Sequence, residues 1–283
     1  MNRSFPSASS KLLGDELERL LCAGVTRYAG VRLAETSQNM IENRLLKFMA
    51  PRGLTDAEAL VRQACARPDS ELAQSLFQAM LNAETSFFRD PAMFAELRER
   101  WVPSLMAARA SERRLTIWSA ACSTGQEPYS LVMVLATLFP ALLDDWTVEI
   151  VATDINRANL DRATTGVFTK LEVNRGLPAA MLTRWMSKTE LGWKVADRLR
   201  ARIEFRQLNL LTDWPPLPRF DLVLLRNVMI YWEHDVRRTL VDRLAGVVTE
   251  HGYLVLGGAE LLPPEAPFKL EHGQRWPSYR PAR

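Results

Sequence analysis

The run Leu115-Thr116-Ile117-Trp118-Ser119-Ala120-Ala121-Cys122-Ser123-Thr124-Gly125-Gln126-Glu127-Pro128-Tyr129-Ser130 decides how the rest of the chain is read. It opens as a short apolar segment of strand type that ends in small residues, and Tyr129–Phe139 beyond it is helical in pattern. A strand that turns through small residues into a helix points the helix-opening N–H groups outward, where a ligand can meet them. A single glycine stands where a dinucleotide fingerprint has three, which argues against NAD. The spacing alone fits a tight turn equally well, with Thr124 and Glu127 as a capping box.

Strands and helices alternate onward from this run. Val148-Glu149-Ile150-Val151-Ala152 reads as a strand, Ala158–Thr164 as a helix, Phe220–Leu225 as a buried strand, Val236–Val248 as an amphipathic helix and Gly252–Gly257 as another strand. That order predicts an α/β fold with a doubly wound, mostly parallel sheet whose ligands bind outside the strands' carboxyl ends. The stretch 165–206 interrupts the alternation with Gly176-Leu177-Pro178, Trp193-Lys194-Val195 and Ala201–Phe205, and reads as a small β-containing insertion. Asp154 stands just past the second strand, about 30 residues after Gly125. A carboxylate there can accept both hydroxyl hydrogens of a ribose, as in Rossmann-type folds; the alternative is an N-cap for the next helix.

Towards the N-terminus only helices are expected. Leu12, Leu17, Leu20, Leu21, Val25 and Tyr28 follow a helical period, as do Met40, Ile41, Leu45, Leu46 and Met49. Pro51-Arg52-Gly53 breaks the second helix, Thr55-Asp56-Ala57-Glu58 starts a third, Glu71–Leu81 forms a fourth, and Pro91–Ala108 follows the segment 82–90. The reading is a helical domain at 1–84 and an α/β domain at 85–283. Apolar runs such as Leu131–Phe139 fall short of the ~20 residues that span a bilayer. Met1–Ser10 does not look like a signal peptide. Cys22, Cys65 and Cys122 lack metal-ligand spacing and read as buried free thiols of a cytoplasmic protein, and His234, His251 and His272 are too dispersed for a metal site. A net charge of +3 without a basic stripe gives no reason to expect nucleic acid.

Several motifs together resemble the chemotaxis receptor methyltransferases of the CheR type. Glu84-Thr85-Ser86-Phe87-Phe88-Arg89-Asp90 is similar to the family's ETxFFR segment, and Trp118–Ser130 to its WSAGCSTGEEPYS loop. Ala152-Thr153-Asp154-Ile155, Asn209-Leu210, Arg226-Asn227-Val228-Met229-Ile230-Tyr231-Trp232 and Gly257-Gly258-Ala259-Glu260 follow in the family's order. The resemblance runs from about residue 15 to 280. It implies a Rossmann-like class I methyltransferase sheet with an insertion, preceded by an all-helical domain that recognises substrate. It implies S-adenosyl-L-methionine as methyl donor and S-adenosyl-L-homocysteine as product. The implied acceptors are glutamate carboxylates on the cytoplasmic methylation helices of a chemoreceptor, met by a monomer associated with receptor arrays and not inserted in the membrane.

The resemblance also assigns roles. Thr85 and Arg89 would reach the cofactor, with Arg89 near its methionine carboxylate or the transferred methyl. Glu127 and the backbone from Ala120 to Gly125 would hold the methionyl end. Asp154 would take the ribose, Asn209 and Leu210 would flank adenine, Asn227 and Val228 would line the site beneath it, and Tyr231 would sit by the methyl group. An ionised glutamate needs no general base, so the expected catalytic groups are Arg89 and Tyr231, which position rather than exchange protons.

The chain departs from the family's pattern at Ala83, where members carry Asn, and at Gln126, where they carry Glu. Its second helix keeps Arg44 and Lys47, but Phe48 and Met49 stand where arginines cluster, and Gln38 and Glu42 add no positive charge. Between Glu190 and Val195 no glycine-rich loop of the kind that docks a receptor-tail peptide is seen, which predicts a tail-independent enzyme. Two other readings are an amine methyltransferase, from a distant echo of its NPPY loop in Asn227–Tyr231, and a cofactor-binding signalling adaptor without turnover.

Overall fold

The chain divides at Asn82/Ala83 into two compact units, and each has a buried apolar core of its own among the described residues. The computed structural model describes residues 12–33 and 38–282; the expectation for Met1–Ser10 lies outside them.

The first unit is helical: α1 Asp15–Ala29, α2 Gln38–Met49 with a 3₁₀ turn at Ala50–Arg52, α3 Ala57–Ala66 and α4 Glu71–Met80. Leu17, Leu21 and Val25 of α1 meet Ile41, Leu45 and Phe48 of α2 in one core, whereas Leu20 and Leu46 lie on the exposed side. The Asp56 carboxylate accepts from Ala59 N and starts α3, and the Ser70 hydroxyl accepts from Ala73 N and starts α4. Phe48 and Met49 are buried, and Arg44 donates to the Met80 carbonyl. What α2 exposes is Asn39, Met40, Asn43, Leu46 and Lys47.

The second unit opens with α5 Pro91–Glu96, a π-helical turn at Leu97–Trp101 and α6 Val102–Ala108. The sequence predicts one helix over this span. Pro103 supplies no N–H and its ring crowds the carbonyl four residues back, so the chain widens there: Val102 N–H donates to the Leu97 carbonyl, five residues earlier.

Its strands are β1 Arg114–Ala120, β2 Thr147–Asp154, β3 Val167–Phe168, β4 Met186–Thr189, β5 Gly192–Val195, β6 Ile203–Gln207, β7 Phe220–Leu225, β8 Val248–Leu256, β9 Phe268–Leu270 and β10 Ser278–Pro281. Between them lie α7 Gln126–Leu138, α8 Pro140–Asp145, α9 Arg157–Thr165, α10 Lys170–Asn174, α11 Ala179–Trp185, α12 Asp197–Arg200 and α13 His234–Val247. The main sheet has the order β6-β2-β1-β7-β8-β10-β9, parallel from β6 to β8 and antiparallel beyond. From β1 the chain builds outward to β2 and β6, then returns to place β7 on the other side of β1. That reversal makes the carboxyl ends of β1 and β7 the switch point, where a crevice opens between diverging loops.

The smaller sheet, β3-β5-β4, is the core of the insertion, and its β4–β5 turn is only Glu190-Leu191. Ile203–Gln207, read from the sequence as part of the insertion, instead pairs in parallel with Ile150–Asp154 as the edge of the main sheet. Edge position explains the misreading: β6 is half exposed and therefore alternates, whereas β7 is buried throughout. On β6, Arg206 donates through Nε and Nη2 to the two carboxylate oxygens of Glu204, each at 2.6 Å.

Candidate active site

Every residue that the sequence singles out in the α/β unit, apart from Thr85 and Arg89, lies at or just past the carboxyl end of β1, β2, β6 or β7. After β1 the chain turns through Ala121 (φ 58), Ser123 (φ 51) and Gly125 (φ 93) before entering α7. Only the last is glycine, and it is needed there: a Cβ on Gly125 would stand 2.9 Å from the Ala163 methyl on α9. The capping-box alternative for Thr124 and Glu127 is not realised. Gly125 is the N-cap, without a side-chain bond, and the Thr124 hydroxyl donates to Gln126 Oε1 at 2.8 Å.

Glu127 is committed elsewhere. Its Oε1 accepts from Ser119 Oγ at 2.7 Å and its Oε2 from Arg226 Nη1 at 2.7 Å. Asp154 ends β2 nearly buried; Ser123 N and Asn156 N each donate to one of its oxygens at 2.8 Å. The N-cap of α9 is Asn156, so Asp154 is not the capping residue. Burial pushes the Asp154 carboxyl up from the ordinary aspartate value, opposed by the N–H donors of Asn156 and Ser123 and by the Asn159 side chain. Leu208 N donates to the Asp154 carbonyl at 3.0 Å, which brings Asn209 and buried Leu210 alongside; Asn209 Oδ1 holds Leu211 N at 3.0 Å.

The segment before α5 is drawn onto the same edge. Ser123 Oγ donates to the Ala83 carbonyl at 2.8 Å. Phe88 N donates to Ser130 Oγ at 2.9 Å. Thr85 lies between these two anchors, half-buried. Arg89 donates through Nη1 to the Glu84 carbonyl at 3.0 Å.

Two further residues hold the site together, and the sequence reading gave neither a role. Arg226, its side chain 2% exposed, donates to Glu127, to Asp90 Oδ2 at 2.6 Å and to the Arg89 carbonyl at 2.9 Å, with its guanidinium 5.7 Å from the centre of the Trp276 ring. The signal for it is a charge directly following the buried strand β7, since a buried charge requires partners. Glu260 accepts main-chain N–H groups from Asn227, Val228 and Ile230. Asn227 is left-handed (φ 59), and Tyr231 closes the 3₁₀ turn Met229–Tyr231 that follows. The Gln126 amide Nε2 stands 3.4 Å from Glu172 Oε1, where a glutamate at 126 would face a second carboxylate.

A doubly wound sheet with a glycine-poor loop after its first strand and an acidic residue ending its second is the architecture of a Rossmann-like class I methyltransferase. A family model described as CheR methyltransferase, SAM binding domain, matches residues 83–275. Chemotaxis protein methyltransferase 1 of Pseudomonas aeruginosa is 38% identical over 236 residues, spanning 82% of this chain and 85% of that one. Chemotaxis protein methyltransferase Cher2 of Pseudomonas putida is 35% identical over 236 residues, spanning 82% and 86%. Chemotaxis protein methyltransferase of Vibrio anguillarum is 34% identical over 237 residues, spanning 82% and 84%. The chain belongs to the CheR methyltransferase family, and it is an S-adenosylmethionine-dependent methyltransferase.

The residues present fit that cofactor. The Asp154 and Glu127 carboxylates keep acceptor capacity beyond the donors they already have, because an ionised carboxylate offers about four lone-pair positions.

Proposed function

We propose that this protein esterifies glutamate side chains on the cytoplasmic helices of a chemoreceptor, acting as a monomer at the receptor array. The observation that carries this reading is the convergence of Glu127, Asp154, Asn209-Leu210 and the Asn227–Tyr231 turn on one sheet edge, in a family of chemotaxis methyltransferases. S-adenosylmethionine supplies an electrophilic methyl group when bound. Asp154 accepts its ribose hydroxyls, Glu127 and the Ala120–Gly125 backbone hold its methionyl end, Asn209 and Leu210 flank the adenine, and Asn227 and Val228 line the floor. Thr85 and Arg89 would reach it from the segment before α5.

The acceptor carboxylate, with a reference pKa of about 4.3, arrives ionised and needs no base. The work of the site is alignment, which can be worth effective molarities of ~10⁵ M or more. The acceptor's negative charge vanishes in the transition state, so a group that binds it too strongly slows the reaction. The Tyr231 hydroxyl orients the acceptor without a full opposing charge, and Arg89 serves the cofactor. The helical domain, 1–84, recognises the receptor, and the two-residue β4–β5 turn supports a tail-independent mode. The test is incubation with labelled cofactor and membranes of the source organism. Alkali-labile counts on a receptor-sized band, released as methanol, are expected; alkali-stable label would mean amine methylation, and cofactor binding with no label would mean an adaptor.

A further inference from the structure

Glu260 lies just past β8, 3% exposed, and its carboxylate is occupied entirely by main chain. Oε2 accepts from Asn227 N and Gly257 N, both at 2.7 Å; Oε1 accepts from Val228 N at 3.0 Å and Ile230 N at 3.2 Å. Three of the four donors belong to the turn that ends in Tyr231. That turn starts from a left-handed asparagine, so consecutive N–H groups face away from the sheet ladder and need an acceptor from elsewhere. Space around the carboxylate is closed: a Cβ on Gly257 would stand 2.6 Å from Glu260 Oε2 and 2.9 Å from Asn227 N.

We propose that Glu260 is a positioning residue for methyl transfer, fixing the Asn227–Tyr231 turn so that the Tyr231 hydroxyl meets the acceptor. This rests on the reading of Tyr231 given above. The geometry makes the charge indispensable. A glutamine at 260 must present its NH₂ on one side, and each side of this carboxylate faces two N–H donors. Whichever way the amide turns, two donors meet a donor and the turn shifts.

The full-length protein is compared with Glu260→Gln, Tyr231→Phe and the double variant, using labelled S-adenosylmethionine with source membranes, and calorimetry with S-adenosylhomocysteine. Glu260→Gln is expected to lower kcat by roughly 100-fold, the scale of a misplaced reacting group, with KM for the membranes within about threefold. S-adenosylhomocysteine affinity should fall by less than about tenfold, because Asp154 and Glu127 follow other strands. In the Tyr231→Phe background the same substitution should lower kcat by no more than about threefold, since residues that act through one group are not additive. Should the glutamine variant fail to fold, Glu260→Asp takes its place, with an intermediate loss of kcat and the same dependence on Tyr231 expected. An unchanged kcat, or an equal loss with and without the Tyr231 hydroxyl, overturns the proposal while leaving the site reading intact. Wild-type protein that binds no S-adenosylhomocysteine overturns the site reading, and the role of Glu260 with it.

Discussion

Asp154 already holds main-chain N–H groups of Ser123 and Asn156, so it ties the loop after β1 to the end of β2 before any ligand arrives. Its raised pKa, caused chiefly by burial, has a definite sign. The folded state holds the proton more tightly than the unfolded chain, so this group favours the empty fold as pH falls through the folded pKa and ceases to as pH rises. On the proposed assignment of Asp154 to the ribose, the hydroxyls favour the ionised form, so cofactor affinity has the opposite trend. S-adenosylhomocysteine affinity, followed by calorimetry, should be flat near neutrality and weaken on acidification at a pH above the ordinary aspartate value. Asp154→Asn should bind roughly 10-fold or more weakly and lose that pH dependence. Arg89→Ala should lower cofactor affinity and kcat together, and unchanged kinetics would remove Arg89 from the site. The position of Asp154 was legible in the sequence because it follows from one place, the end of a strand. Arg226 and Glu260 were not, because most of their partners are main-chain groups and carboxylates far along the chain.

At the scale of the element, β7 shows what an apolar run conceals. Phe220–Leu225 reads as a buried strand and is one, yet Asp221 sits inside it. Its Oδ1 accepts from Arg109 Nε at 2.7 Å and from Thr249 Oγ1 at 3.1 Å, and its Oδ2 from Thr116 N at 2.9 Å. Asp221→Ala orphans the buried Thr116 N–H and should cost about 2 kcal/mol in denaturant unfolding. The catalytic edge lies about 13 Å further along the strand at ~3.3 Å per residue, so S-adenosylhomocysteine affinity should not change. Helix α7 and strands β1, β2 and β8 were likewise legible from period and length. The π-helical turn before Pro103 was not, since the expected helical pattern continues straight through it, and β6 was misplaced because an edge strand alternates like an isolated one.

On the scale of the whole molecule, alternating strands and helices announced a doubly wound sheet but not its order, which depends on where β6 and β10 pair. The division at Asn82/Ala83 leaves the whole proposed cofactor site in the second unit. A fragment of residues 83–283 should therefore bind S-adenosylhomocysteine within about threefold of the full chain while labelling no receptor, because independent sites contribute separately. In the full chain, α2 exposes Met40, Asn43 and Leu46 with only Lys47 as a charge, and Arg44 is spent on the Met80 carbonyl. Raising salt from low to physiological strength should accordingly raise KM for receptor membranes by less than about threefold, since screening acts on charges. The open flank of the main sheet has a consequence of another kind. Among the described residues β6 has no neighbouring strand on its outer side, an invitation to fibril-like stacking between molecules. Glu204 and Arg206, locked together on one face of that strand, make such stacking expensive by forcing two hydrated charges to be stripped of water. Exchanging both for valine would leave the chain's own core untouched, yet the protein should come out of solution as it is concentrated.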